Sequence, residues 1–171
     1  MSSEVVEVKP HKIRKRSLIS LLVFAIAFGL WWGVPTYRIG RADAQVQELC
    51  DKDGGIKVYE TVKLPANRFD HYGNIMFGTR WGPPTKEFAK EGDDFYYTWE
   101  TTWIIPETSA SALTMWRNHQ RLFRVADQKL IGEAISYSRR GGDPIGPWHP
   151  SSFGCPTNTS NNLKKQIFVR Q

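Results

Sequence analysis

The chain is short of almost everything that announces chemistry. Its 171 residues hold only two cysteines and four histidines, and neither cysteine has the Cys-x-x-Cys neighbour of a redox or zinc motif. His71, His119 and His149 share no ligand spacing, so no metal and no other cofactor is expected. There is no Gly-x-Ser-x-Gly elbow and no His-Glu-x-x-His helix to organise these histidines with Ser151, Ser152 or Asp143 into a hydrolase. Asp51-Lys52-Asp53-Gly54-Gly55 begins like a calcium loop, but Ile56 and Val62 stand where that loop needs glycine and glutamate. A helix stop followed by a turn accounts for the same residues. Internal repeats and low-complexity segments are also missing.

Long basic runs are missing from most of the chain as well. The net charge of +6 divides evenly, because residues 1–34 carry five Lys/Arg against two Asp/Glu and the rest carries a net +3 without clustering. Arg139-Arg140 and Lys164-Lys165 are pairs rather than runs, which argues against nucleic acid as a partner.

The most informative absence is that of charge between residues 18 and 34. Extended to residues 17–37, the uncharged run would form a helix of about 31 Å, matching a bilayer hydrocarbon core of about 30 Å. Lys9, Lys12, Arg14, Lys15 and Arg16 precede it, against Arg38 and Arg41 after it, so the amino terminus is expected in the cytoplasm. Trp31, Trp32 and Tyr37 crowd the far end, where amphipathic rings favour the headgroup level. A cleaved signal peptide has an apolar core of only about 7–15 residues with its cleavage site close behind. Here the first small-x-small site, Ala42-Asp43-Ala44, lies well past Val34 with an acid inside it, which favours an uncleaved anchor. The lipid bilayer is thus the first expected partner.

Beyond the span, Ile39, Ala42, Val46 and Leu49 recur at helical spacing, Pro35 is expected to mark a kink or a fresh helix start, and Gly54-Gly55 a stop. The chain divides into a basic cytoplasmic tail (1–17), a transmembrane helix (18–37), a juxtamembrane stalk helix (38–55) and an exported domain (56–171). Two cysteines in an exported domain predict one disulfide, Cys50–Cys155.

Residues 56–64 alternate as a half-buried strand broken by Glu60, and residues 94–105, dense in aromatic and β-branched types, read as a central strand. Residues 113–125 and 129–138 form an expected hairpin about Ala126-Asp127-Gln128, with a short helix near Trp116 as an alternative for its start. Residues 161–171 close the structure as a strand or a helical turn. The fold class is α+β: a transmembrane helix and a juxtamembrane helix, then a mainly antiparallel sheet of about four strands.

Two long stretches, 65–93 and 141–156, resist periodic reading, and loops of that length are often functional. Trp99 and Trp103 share one sheet face and are expected in the core. Trp81 and Trp148, flanked by Gly and Pro, are candidate exposed anchors, and the 141–156 loop is expected to present Trp148 and His149 to a partner. Arg139 and Arg140 at its base suit a carboxylate or phosphate, unless one of them pairs with Glu60 across the sheet.

Leu49-Cys50 with Asp53-Gly54-Gly55, Gly132-Glu133, Arg140-Gly141-Gly142-Asp143, Gly146-Pro147-Trp148-His149-Pro150 and Cys155-Pro156 stand in an order that resembles small uncharacterised bacterial envelope proteins with a single N-terminal membrane anchor. The resemblance implies a single-pass protein of the bacterial inner membrane with its C-terminal domain in the periplasm; it carries over no catalytic residue. The expected function is that of a binding or accessory domain in an envelope assembly, with an envelope protein as partner. A periplasmic hydrolase of cell-wall or lipid material and a glycan or small-ligand sensor are the alternatives.

Overall fold

The computed structural model describes residues 15–77, 82–157 and 159–171; most of the basic tail, Trp81 and Asn158 lie outside the described residues. A single helix, α1 (Lys15–Asp53), runs for 39 residues, about 58 Å at the usual rise per residue. It is long and apolar enough to cross a membrane, and the apolar window is 0% buried against the rest of the chain. Its second half buries Ala42, Val46 and Cys50 at the expected helical spacing, with Leu49 packed alongside.

The fresh start anticipated at Pro35 does not occur, because the helix continues through it. Proline removes the N–H that would bond the Trp31 carbonyl, yet the segments on either side have independent reasons to stay helical. One is an apolar run whose backbone must satisfy itself, and the other is packed on a sheet. The Thr36 hydroxyl donates to the Trp32 carbonyl at 2.8 Å. The helix stops as anticipated: the Gly54 N–H bonds the Cys50 carbonyl at 2.8 Å, and Gly55 takes φ +120°. A Cβ at Gly54 would stand 2.6 Å from that carbonyl oxygen, so the close approach admits only glycine.

The sheet is built from β1 (Gly55–Val58), β3 (Phe95–Ile105), β4 (Thr114–Arg124), β5 (Leu130–Arg140) and β6 (Ser152–Cys155), with β1-β5-β4-β3 as its order and β6 also on β5. All these pairings are antiparallel. The hairpin β4–β5 turns where the sequence indicates, with Gln128 at φ 56°. β1 and β6 lie end to end along the same edge of β5, pairing with residues 132–135 and 137–140. A short parallel pair, β2 (Val62–Leu64) with β7 (Phe168–Arg170), follows α2 (Thr159–Ile167) and ties the carboxyl end to the start of the domain.

Three expectations are corrected. The strand read over 56–64 is two strands, because the Tyr59 and Glu60 N–H groups both bond the Ile131 carbonyl (3.0 and 3.1 Å) where the β4–β5 register slips. That bulge turns the chain out of the sheet. β3 lies at an edge rather than the centre, since β1 and β6 occupy the other side of β5. The 141–156 loop ends in β6 rather than staying irregular to its last residue.

Two clusters of buried side chains hold the layers together. Leu64, Phe77, Phe95, Leu122, Ile131 and Phe168 pack with Leu163 and Ile167 of α2. Ala42, Val46 and Cys50 of α1 pack with Met115, Ile135 and Tyr137. Gly132 lets α2 come close, since a Cβ there would lie 2.5 Å from the Ile167 Cδ1.

Candidate functional site

The residues singled out from the sequence fall into distinct roles. Cys50 and Cys155 form the anticipated disulfide, with Cα atoms 5.9 Å apart, joining the last turn of α1 to the end of β6. Arg139, 2% exposed, is spent inside the molecule. Its Nε and Nη2 donate to the two oxygens of Asp43 at 2.7 and 3.0 Å, and its Nη1 donates to the Gly141 carbonyl and to both the carbonyl and hydroxyl oxygens of Ser151. The pairing with Glu60 is therefore overturned. Glu60 instead accepts from Arg124 and from Lys129 Nζ at 2.8 Å, because the turn out of β1 faces the β4–β5 hairpin. Arg140 and His149 are exposed. Trp148 packs against Trp31 and Trp32 of α1, at ring separations of 6.4 and 5.9 Å.

The largest departure from expectation concerns the other tryptophans. Strand alternation puts Trp99, Thr101 and Trp103 on one face, and the register brings Gln120, Asn118 and Trp116 opposite them. That much is as anticipated, but Trp99 is 50% and Trp103 49% exposed rather than core. α2 and the β2–β7 pair cover this face only around Phe95, Leu122 and Ala134. The tryptophans stand on the part that α2 does not reach. Trp103 and Trp116 pack at 5.6 Å, while the Trp99 Nε1–H donates to Thr101 Oγ1 (3.1 Å), which donates to Asn118 Oδ1 (3.0 Å). The surface around these rings is aromatic, with Thr101 and Asn118 held in fixed orientation, while Gln120 is buried with its Oε1 unpaired among the described residues and exposed Arg140 follows Ser138 on the same face.

The backbone adds to this. Apart from a single bridge between Thr85 and Tyr97, the outer edge of β3 has no strand partner among the described residues. Residues 99–104 are all exposed. Natural edges are blunted by lysine, proline or a bulge; here a register slip at Ile104, between Trp103 and Ile105, interrupts the strand only near its far end. The only charge on this stretch is Glu100, and it is held by Arg121 Nη2 at 2.6 Å.

The face of the sheet that carries α1 is different beyond the helix end. The Glu133 carboxylate accepts from Tyr59 Oη (2.6 Å) and from His119 Nε2 (2.7 Å), with Lys57 Nζ at 4.0 Å. Beside it, Tyr137 Oη donates to Asp53 Oδ1 (2.7 Å). The Tyr59 hydroxyl holds the Glu133 carboxyl below the usual range; burial opposes this, and the His119 bond adds to it. The same bond raises Tyr59. A carboxylate so fully engaged is an acceptor already used, which suits fixing β1 on β5 better than moving protons. Because its folded pKa is depressed, its stabilisation is present above about pH 4.3, the ordinary glutamate value, and is lost as pH falls through the lowered one. Glu133→Gln is therefore expected to lower stability at pH 7 and to lose less on acidification than the parent. Urea midpoints of both proteins at pH 7 and pH 3 check this.

Asp43, Tyr59 and the Trp99–Trp116 face were missed from sequence. Strand alternation identified the shared face of Trp99 and Trp103, but alternation carries no information about what covers it. No family model matches the chain, and neither a curated protein nor a solved structure matches it.

Proposed function

We propose that this protein is a membrane-anchored binding subunit of a bacterial envelope assembly. Its amino terminus lies in the cytoplasm, α1 crosses the inner membrane once, and the periplasmic sheet takes an extended segment of another protein along β3. The observation that supports this reading is the open β3 edge with Trp99 and Trp103 half exposed beside it. Strand addition supplies affinity through main-chain hydrogen bonds and specificity through alternate side chains, here over an aromatic surface.

A second copy is a poor occupant. Antiparallel pairing of β3 with itself has its two-fold axis perpendicular to the sheet. α1 packs flat on that sheet, from the Asp43–Arg139 pair to the Asp53–Tyr137 pair, so the axis would turn one membrane helix upside down. Two copies in one bilayer cannot satisfy it, and the partner is a different chain.

A photoactivatable side chain placed at Thr102 in living cells is expected to give a discrete adduct with another protein. Adding Trp99→Ala and Trp103→Ala should abolish the adduct while leaving the melting temperature nearly unchanged, since both rings are half in solvent. An adduct of two copies of this chain, or loss of folding in the double variant, would overturn the reading.

A further inference from the structure

Residues 141–150 form a built loop whose tip has no aqueous rationale. Arg139 clamps its base through Gly141 and Ser151, the Gly141 N–H bonds the Ser151 carbonyl (2.9 Å), and Asp143 Oδ2 accepts from the Ser151 N–H (2.7 Å). Burial works to raise the Asp143 carboxyl, but the Ser151 bonds outweigh it and hold it low, so the clamp is ionised at neutral pH. Inside the loop, the Trp148 Nε1–H donates to the Pro144 carbonyl at 2.8 Å. The ring lies so close over Gly146 that a Cβ there would meet it at 2.1 Å. The loop is thus folded around its own tryptophan.

What this scaffold displays is Ile145, 87% exposed, the most exposed large apolar side chain of the described residues. Trp148 beside it is 42% exposed and packs against Trp31 and Trp32. Those two rings belong to the uncharged run of α1 and sit at its far end. A rigid loop that spends an isoleucine on water would be costly by about 1.5–3 kcal/mol relative to a buried one. The cost vanishes if the tip meets the same medium as the helix it touches.

We infer that the 141–150 loop is a second membrane-contacting element, with Ile145 and Trp148 seated in the interfacial layer of the bilayer beside Trp31 and Trp32. This rests on the reading of α1 as a membrane span. Tryptophan at the headgroup level and an aliphatic side chain just below it are the pair that this layer favours. Arg140, exposed and without a side-chain partner among the described residues, lies at the base of the loop, suited to lipid phosphates. Trp148 and Ile145 thereby hold the domain at a set height and rotation over the membrane.

The test uses the full chain, disulfide intact, in phosphatidylethanolamine/phosphatidylglycerol vesicles. An environment-sensitive NBD label is placed singly at Ile145→Cys, at Leu22→Cys within the apolar run, and at Tyr72→Cys, which is 75% exposed near the opposite end of the sheet. Spin-labelled lipids are expected to quench the labels at 22 and 145 severalfold more than the label at 72. Trp148→Ala should reduce quenching at 145 while leaving it unchanged at 22. Quenching at 22 with none at 145 overturns the loop contact and leaves the span standing. No quenching at 22 overturns the span and the inference with it.

Discussion

Asp43→Ala is expected to destabilise the protein by about 3 kcal/mol, near the low end for breaking a buried ion pair because the Asp43 side chain is itself 30% exposed. The side chain of Arg139 is only 3% exposed and would keep its bonds to Gly141 and Ser151 while losing both to the carboxylate. A buried cation would lose the carboxylate it is bonded to and keep only the more distant charge of Asp143. Urea unfolding of the full chain in detergent, followed by tryptophan fluorescence, reads the loss. The double variant Asp43→Ala/Arg139→Met should recover much of it, because removing both partners leaves no orphaned charge. Failure of that recovery would mean that Arg139 acts through its backbone contacts to the loop rather than through the pair.

Removing the disulfide with Cys50→Ala/Cys155→Ala is expected to cost about 2–5 kcal/mol. The bond closes a sequence separation of 105 residues, for which the chain-entropy model gives about 4.7 kcal/mol. It also joins two short, weakly paired elements: the last turn of α1 and β6, which holds β5 through four residue pairs. The reduced protein should therefore lose the α1–β6 contact before the β3–β4–β5 sheet, visible as early amide exchange in residues 50–58 and 152–155. Free thiols in acid-quenched extracts, or full stability of the alanine variant, would count against the bond as a structural element.

The features that were legible in the sequence are those set by near neighbours or by simple counting. The hairpin about Ala126-Asp127-Gln128 is flanked by strong strand formers, and the disulfide follows from there being only two cysteines. The apolar run and its basic flank fix the helix by length and charge. What was illegible depends on partners far along the chain. Aromatic density in residues 94–105 reports that the segment favours a pleated surface, not whether a neighbour lies on each side of it. Arg139 could not be matched to Asp43 rather than Glu60, because both lie far from it and carry the same charge. Trp148 was singled out as a candidate exposed anchor, yet the rings it packs against, Trp31 and Trp32, lie at the other end of the sequence. Pro35 argued for a kink or a fresh helix start by local rules; the fresh start does not occur, because an apolar run on one side and packing on the sheet on the other keep both segments helical.

The unbroken helix has a mechanical consequence. A domain on a flexible tether sweeps a hemisphere above its membrane and meets partners wherever they stand. Here α1 passes from apolar run to sheet contact without a linker, and Arg139, the disulfide and the cluster of tilted and edge-on rings of Trp31, Trp32 and Trp148 lock the two together. Rotation or tilt of the helix becomes rotation or tilt of the β3 edge, with no joint to absorb it. The open edge thus keeps one height and one bearing relative to α1, and the strand proposed to pair with it would have to be brought to that place.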